Sequence, residues 1–441
     1  MTDRRARLLD GPILPTLAGL AVPNMAASFL QSGMSIVEGA YVGLLGTVEL
    51  AGVALVFPLF MLTTMYSAGA IGGAVAGTTA RALGAHDDAG AQAILRAAIG
   101  IALVMAALMA AIVLGLGRPI FSALGGSGPV LTVAETYADR LFAGIVAVWL
   151  FNMIASVLRG SGDTVRPAIG IAVVLLVHAG LAWVLMFELE MGIAGAGLAL
   201  PIAYTVGAVG LALWVVTGRA AVRLRAGGVP LSVALPLLRQ GSLAALQSTL
   251  TVAMALIVTA IVGRLGTHWL AGYGIGARLE FLMIPIIFGV GGALIAMVGV
   301  NAGAGRRERA IRIAWTGGAV AAVLVGAIGI VGALAPNLWG GLFTDDPATL
   351  EAVALYLKIV GPVYAFFGLG LCLYFASQGL DSLLWPVLGT VLRLLLVLGG
   401  GLALLALDAA TPQAVFTVVA SAMVVYGVFI AGVLRLGPWR M

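Results

Sequence analysis

Charge is what this chain has least of. Only 9% of its 441 residues are charged and 62% are hydrophobic, whereas a soluble domain carries about 25% charged residues. No soluble fold hides that much apolar surface, so the solvent of this chain is lipid. Lysine is nearly absent. The single Lys358 has no glycine loop before it, and no G-x-x-x-x-G-K-[ST] occurs, which excludes a P-loop for ATP. Cysteine occurs once, as Cys372, so no internal disulfide can form. Three widely spaced histidines make neither H-E-x-x-H nor a zinc cluster. No serine stands in G-x-S-x-G. The glycines at 125–128 do not sit between a strand and a helix, as a dinucleotide site requires. The residues therefore name no cofactor, no metal and no enzyme chemistry. The net charge of +5 comes from arginines in short loops, not from a continuous basic patch, which argues against a nucleic-acid partner.

What is there is apolar length and glycine. A bilayer core needs about 20 apolar residues per helix. Breaks at charged or Gly/Pro-rich points predict twelve spans, near 14–44, 50–80, 92–117, 135–158, 167–187, 192–217, 234–263, 268–300, 310–334, 350–377, 384–406 and 412–434. The 62 glycines suit closely packed membrane helices. The basic start MTDRRARLLD precedes an apolar run too long for a signal core, so it reads as leading into a retained first helix. Seventeen arginines fall on one side of the predicted spans, from Arg4 to Arg440, and two, Arg118 and Arg264, on the other. By the positive-inside rule both termini are expected in the cytoplasm, in a multi-pass protein of the inner membrane.

The two halves echo each other. Leu45–Thr47 (LGT) recurs at Leu265–Thr267, and Gly160, Pro167 and Gly170 match Gly379, Pro386 and Gly389, at shifts of 220 and 219 residues. Six spans per copy is an even number, so both copies insert the same way up, which is a transporter architecture. The expected fold is an all-α polytopic membrane protein with two pseudo-symmetric six-helix bundles. The expected division is an N-terminal lobe at 1–220, a cytoplasmic linker at 221–233 and a C-terminal lobe at 234–441.

Between Asp10 and Glu49 the only charged residue is Glu38. On a helical wheel Asn24, Ser28, Gln31, Ser35 and Glu38 share one stripe. Such a stripe faces water or polar groups of neighbouring helices, not acyl chains. Hydrogen-bonding between helices would account for the amides and hydroxyls. A carboxyl in mid-span costs about 3 kcal/mol even on the mildest insertion scale, so it calls for a function. A lone acid that is neutral when dry and charged when wet is a proton switch. Without an ATP site, uphill transport has to draw on an ion gradient. Arg278 and Glu280, two residues apart, point to different faces of their helix and each needs another partner. The choice there lies between a structural ion pair, with Arg393 as candidate, and a role for Glu280 in binding or coupling.

These stretches resemble the multidrug and toxic compound extrusion (MATE) family. QSGMSIVEGAYVGLLG (31–46) resembles its first-helix pattern. RALGAHDDAGAQ (81–92) and NAGAGRRERA (301–310) resemble its paired glycine loops. LRGSGDTVRP (158–167) is the most specific match, with SQGLDSLLWP (377–386) as its counterpart, and GIAGAGLAL (192–200) resembles the start of its sixth helix. The resemblance spans almost the whole chain. It implies a V of two bundles, a central cavity, alternating access, and export of small amphipathic or cationic organic compounds against proton or sodium influx, by what we expect to be a monomer embedded in membrane lipid. In the loop after the fourth span, Gly160 and Gly162 suit a tight turn, Asp163 and Thr164 a helix cap, and Pro167 a first turn, with Arg159 and Arg166 anchoring at the membrane surface.

The sequence also departs from the family. Where one branch places Asn and Asp in the fifth helix, this chain has His178 and Ala182. Where another uses acids in helices 7 and 10, the seventh span has none and the tenth offers only Glu351 at its edge. Histidine titrates near neutral pH, so Glu38 and His178 are the expected coupling pair, with the proton favoured over sodium. The competing readings are a lipid-linked-sugar flippase of the same superfamily, sodium-coupled export, and a membrane enzyme or channel.

Overall fold

The computed structural model describes residues 2–225, 227–437 and 439; Arg440, counted above for orientation, lies outside them. Among the described residues there is no strand. Among those residues eleven helices are long and apolar enough to cross a membrane, and a twelfth span forms if the bent pair Gly128–Ala143 and Ile145–Gly160 is taken as one. Their outer faces carry large apolar side chains such as Leu108, Leu176 and Leu402. In water such surface would aggregate; in lipid it is the solvated face.

The helices run past the expected spans, for instance Asp88–Ala123 and Thr267–Gly303. A short helix at Thr2–Asp10 precedes the first span, where only a basic start was expected.

The internal repeat returns as geometry. Val165 and Leu384 open helices 219 residues apart, as do Ile145 and Tyr364; Thr47 and Thr267 do so at 220. The LGT triplets recur because Gly46 and Gly266 open the second and eighth spans at φ of 147° and 131°, a backbone region that side chains rarely enter. The fourth and tenth spans are both interrupted. At Gly144 the two halves bend by 48°, and a Cβ there would lie 2.5 Å from Cβ of Pro201. At Gly361–Val363 a 3₁₀ turn intervenes, with the Gly361 backbone against that of Gly329.

The chain divides into two compact units, Met1–Arg5 with Ala26–Ser242, and Ala6–Met25 with Leu243–Met441. Against the expected lobes, the first unit takes in 221–242 and the second takes in 6–25. The first span, Ile13–Leu45, is therefore shared between them, and Pro23 lies within it.

Inside the first unit, Ile145–Gly160 packs on Asp88–Ala123, Ile71–Gly84 and Gly192–Val216, while Thr47–Thr64 packs on Gly128–Ala143. Inside the second, Tyr364–Gly379 packs on Arg307–Leu334, Thr267–Gly303 and Pro412–Leu436, while Thr267–Gly303 also packs on Pro347–Val360. These are the same pairings one repeat later.

Candidate functional site

Glu38 sits half-buried in the first span. The structure gives it a partner that sequence reasoning missed: the phenol of Tyr137, which donates to its Oε1. Tyr137 is 3% exposed and comes from Gly128–Ala143, the first half of the fourth span. A phenol tip on an aromatic body suits this place, since the ring packs among apolar neighbours while the hydroxyl reaches the acid. No cation contacts Glu38 among the described residues.

The rest of the stripe is mixed. Gln31 lies beside the buried Tyr204. Ser28 is half-buried and Ser35 exposed. Asn24 is buried, but in the second unit, where its amide lies against Gly292. The five residues thus share a helix face without sharing one environment.

His178 is fully buried, and neither ring nitrogen has a hydrogen-bond partner. The structure therefore joins Glu38 to Tyr137 and does not bring His178 into contact with it. Helical spacing could not reveal Tyr137, because it lies 99 residues from Glu38 in sequence.

The second unit holds a comparable arrangement. Glu280 accepts from Tyr356 at 2.5 Å and from Tyr364 at 3.3 Å. Tyr356 lies 219 residues after Tyr137, the same shift as the helix starts around it. Each unit thus hangs one membrane-embedded carboxyl on the equivalent tyrosine, although the acids come from different spans: the first for Glu38, the eighth for Glu280. The repeat shift was legible in the sequence, and applied to Tyr137 it would have flagged the pair.

Glu280 and Arg393 line one cavity of about 80 Å³ together with Thr251, Tyr273 and Tyr356. They are not in direct contact, but lie within electrostatic range of one another. Arg278 is exposed and stacks over Phe343, with its guanidinium 5.3 Å from the ring centre. It is thus no part of the Glu280 site, as the two-residue spacing implied.

In the loop after the fourth span, two of the expected contacts differ, at Gly160 and Thr164. Gly162 takes φ +77° and makes the turn. Gly160 is helical instead, and lacks a Cβ because the Ala76 backbone lies against it. Asp163 caps the next helix by accepting from Arg166 N at 3.3 Å, and pairs with Arg4 at 3.1 Å. Thr164 makes no cap bond; its hydroxyl is buried without a partner. Arg159 donates to Ser156 at 2.9 Å and Arg166 lies over Trp214. Pro167 falls in the first turn of Val165–Trp183, and Pro386 in that of Leu384–Ala406. Gly379 lies against Ile295 and Gly299 as Gly160 lies against Ala76.

A family model described as MatE matches residues 23–184 and 244–401, one match in each half. The chain is 26% identical over 386 residues to a probable multidrug resistance protein NorM of Thermotoga maritima, which covers 86% of this chain and 82% of that one. It is 25% identical over 391 residues to an FAD transporter of Shewanella oneidensis, covering 86% and 84%. A crystal structure of a MATE protein in complex with MaL6 superposes with a TM-score of 0.89 at 21% identity, covering 99% of each chain.

Proposed function

This chain belongs to the MatE family of membrane transporters, and from that premise we propose that it is an ion-coupled secondary exporter of small amphipathic or cationic organic compounds, working by alternating access. The relative named for multidrug resistance supports small organic compounds as the cargo. The coupling ion is proposed to be the proton, carried by Glu38. The observation that carries this reading is a carboxyl in a transmembrane span, held by the Tyr137 phenol, with no cation in contact among the described residues. A carboxyl so placed is neutral with a proton on it and charged without one. Charge in a lipid-embedded span demands hydration or a donor, so loading and unloading a proton changes which surroundings the helix favours. Tyr137 orients the carboxyl and offers one donor to its charged form. His178, buried in Val165–Trp183 with neither ring nitrogen hydrogen-bonded, enters the proposal as a second proton acceptor. The same proposal takes the cytoplasmic membrane as its location, both termini inside, and a monomer as the working unit.

The flippase reading wants a cationic lining. In the spans, Arg278 points outward and Arg393 faces Glu280, which leaves little for a sugar diphosphate. The test is dye efflux from everted vesicles under an imposed pH or sodium gradient, with Glu38→Gln and His178→Ala alongside. Efflux under the pH gradient that Glu38→Gln abolishes is the expected result. Efflux driven by sodium alone, or by protons in Glu38→Gln, overturns it.

A further inference from the structure

The guanidinium of Arg393 is an unusual group to find where it lies. The residue is 5% exposed, in Leu384–Ala406. Its charge is permanent and its five N–H groups want acceptors. Among the described residues no protein atom accepts from it, and Nε is buried without a partner. Two aromatic faces flank it instead, Phe367 at 5.0 Å and Tyr426 at 5.6 Å. Among the described residues the only countercharge lining the same cavity is Glu280. A cavity of about 80 Å³ holds a few waters, enough to bridge the two.

The first unit is the control. Where the second has Tyr356, the first has Tyr137, and each phenol holds an acid. One repeat before Arg393 stands Val174, fully buried. One repeat before the cavity-lining Val397 stands His178. The register here is set by Pro167 with Pro386 and Gly170 with Gly389. Among the described residues the acid of the second unit therefore shares its cavity with a cation built into the fold, whereas that of the first has no cation in contact.

We propose that Arg393 is a tethered cation, which occupies the counter-ion role beside Glu280 and so excludes sodium and other free alkali cations from the second unit. A mobile cation entering the cavity would meet a fixed positive charge and an acid already compensated. Ion exchange during transport then falls to Glu38. That last step rests on the exporter reading; the exclusion of sodium does not.

The test is thermal unfolding of the purified full-length protein in detergent, in sodium chloride against choline chloride at equal ionic strength. Wild type and Arg393→Lys are expected to show no sodium-specific shift arising from Glu280. Arg393→Met is expected to gain one, about 3–6 °C at 100 mM sodium for a site of roughly 10 mM affinity, and Arg393→Met/Glu280→Gln to lose it. A folded Arg393→Met that stays blind to sodium overturns the proposal. So does a sodium shift in wild type that Glu280→Gln removes. If Arg393→Met does not fold, the cycle of the two single variants and the double decides. Recovery of expression and Tm in the double supports the pair, and additive losses overturn it. Failure of the exporter reading would show in vesicle efflux and leave these shifts untouched.

Discussion

Gly160 and Gly379 are repeat-related glycines at the ends of helices, and replacing each with alanine should have unequal consequences. An added methyl has two opposing effects. It raises helix propensity by up to about 1 kcal/mol, and it must find room. At Gly160 the new carbon would lie 2.9 Å from Ala76 Cα and 3.0 Å from its carbonyl carbon, with the Ala76 oxygen closer still. All three are backbone atoms of Ile71–Gly84, so no rotamer change relieves them and the helices must separate. Forced separation of this kind costs about 2–3 kcal/mol. At Gly379 the nearest atoms are Gly299 N and Ile295 O, both at 3.0 Å, and Val298 Cβ at 3.1 Å. A shift of a few tenths of an ångström accommodates that, at roughly the value of the propensity gain. The expected net is a loss of about 1–2 kcal/mol for Gly160→Ala and near zero for Gly379→Ala. With about 2–4 °C per kcal/mol for a unit of this size, Gly160→Ala should lower the midpoint by roughly 2–8 °C. The assay is thermal unfolding in detergent followed by size-exclusion fluorescence. Equal midpoints for the two variants would refute the reasoning, because they would mean that backbone contact at Ala76 does not limit the helix approach.

Three further outcomes follow from the same geometry. Tyr137→Phe keeps the ring and removes the donor to Glu38; losing one hydrogen bond, about 0.5–1.5 kcal/mol, should slow proton-driven dye efflux roughly two- to tenfold while the protein still folds, and unchanged efflux would detach the tyrosine from coupling. Asp163→Asn weakens the cap on Arg166 N and removes the ion pair to Arg4, so a stability loss of about 1–2 kcal/mol is expected with no change in which dyes are exported. Cys372 is fully buried, so a maleimide should leave the folded protein unlabelled and react on unfolding; rapid labelling of the native protein would contradict its packing.

Much of the architecture is legible in the sequence. The twelve spans follow from apolar length, because lipid forces every backbone group into a helix and leaves composition to mark where helices run. The repeat was legible because Gly46 and Gly266 sit where the backbone tolerates little else, and the paired glycines and prolines recur at helix ends and close helix contacts. Glu38 stood out because an acid in an apolar run has no cheap explanation. The expected partnership with His178 did not appear, since a helical wheel shows which face a residue lies on, not which neighbour that face meets. The same holds for Asn24, which shares the stripe of Glu38 on paper and lies in the other unit.

What the sequence by itself determined, then, is everything set locally or by solvent: lipid as the medium, helices as the elements, two copies of one six-span plan, and an acid that needed a reason. Only the tertiary structure decided the partnerships. Tyr137 reaches Glu38 across 99 residues and Tyr356 reaches Glu280 across 76, while Arg393 arrives at the same cavity from yet another helix. Those meetings depend on how helices pack, and helix packing is fixed by non-local contacts such as Gly160 against Ala76, which no window along the chain contains.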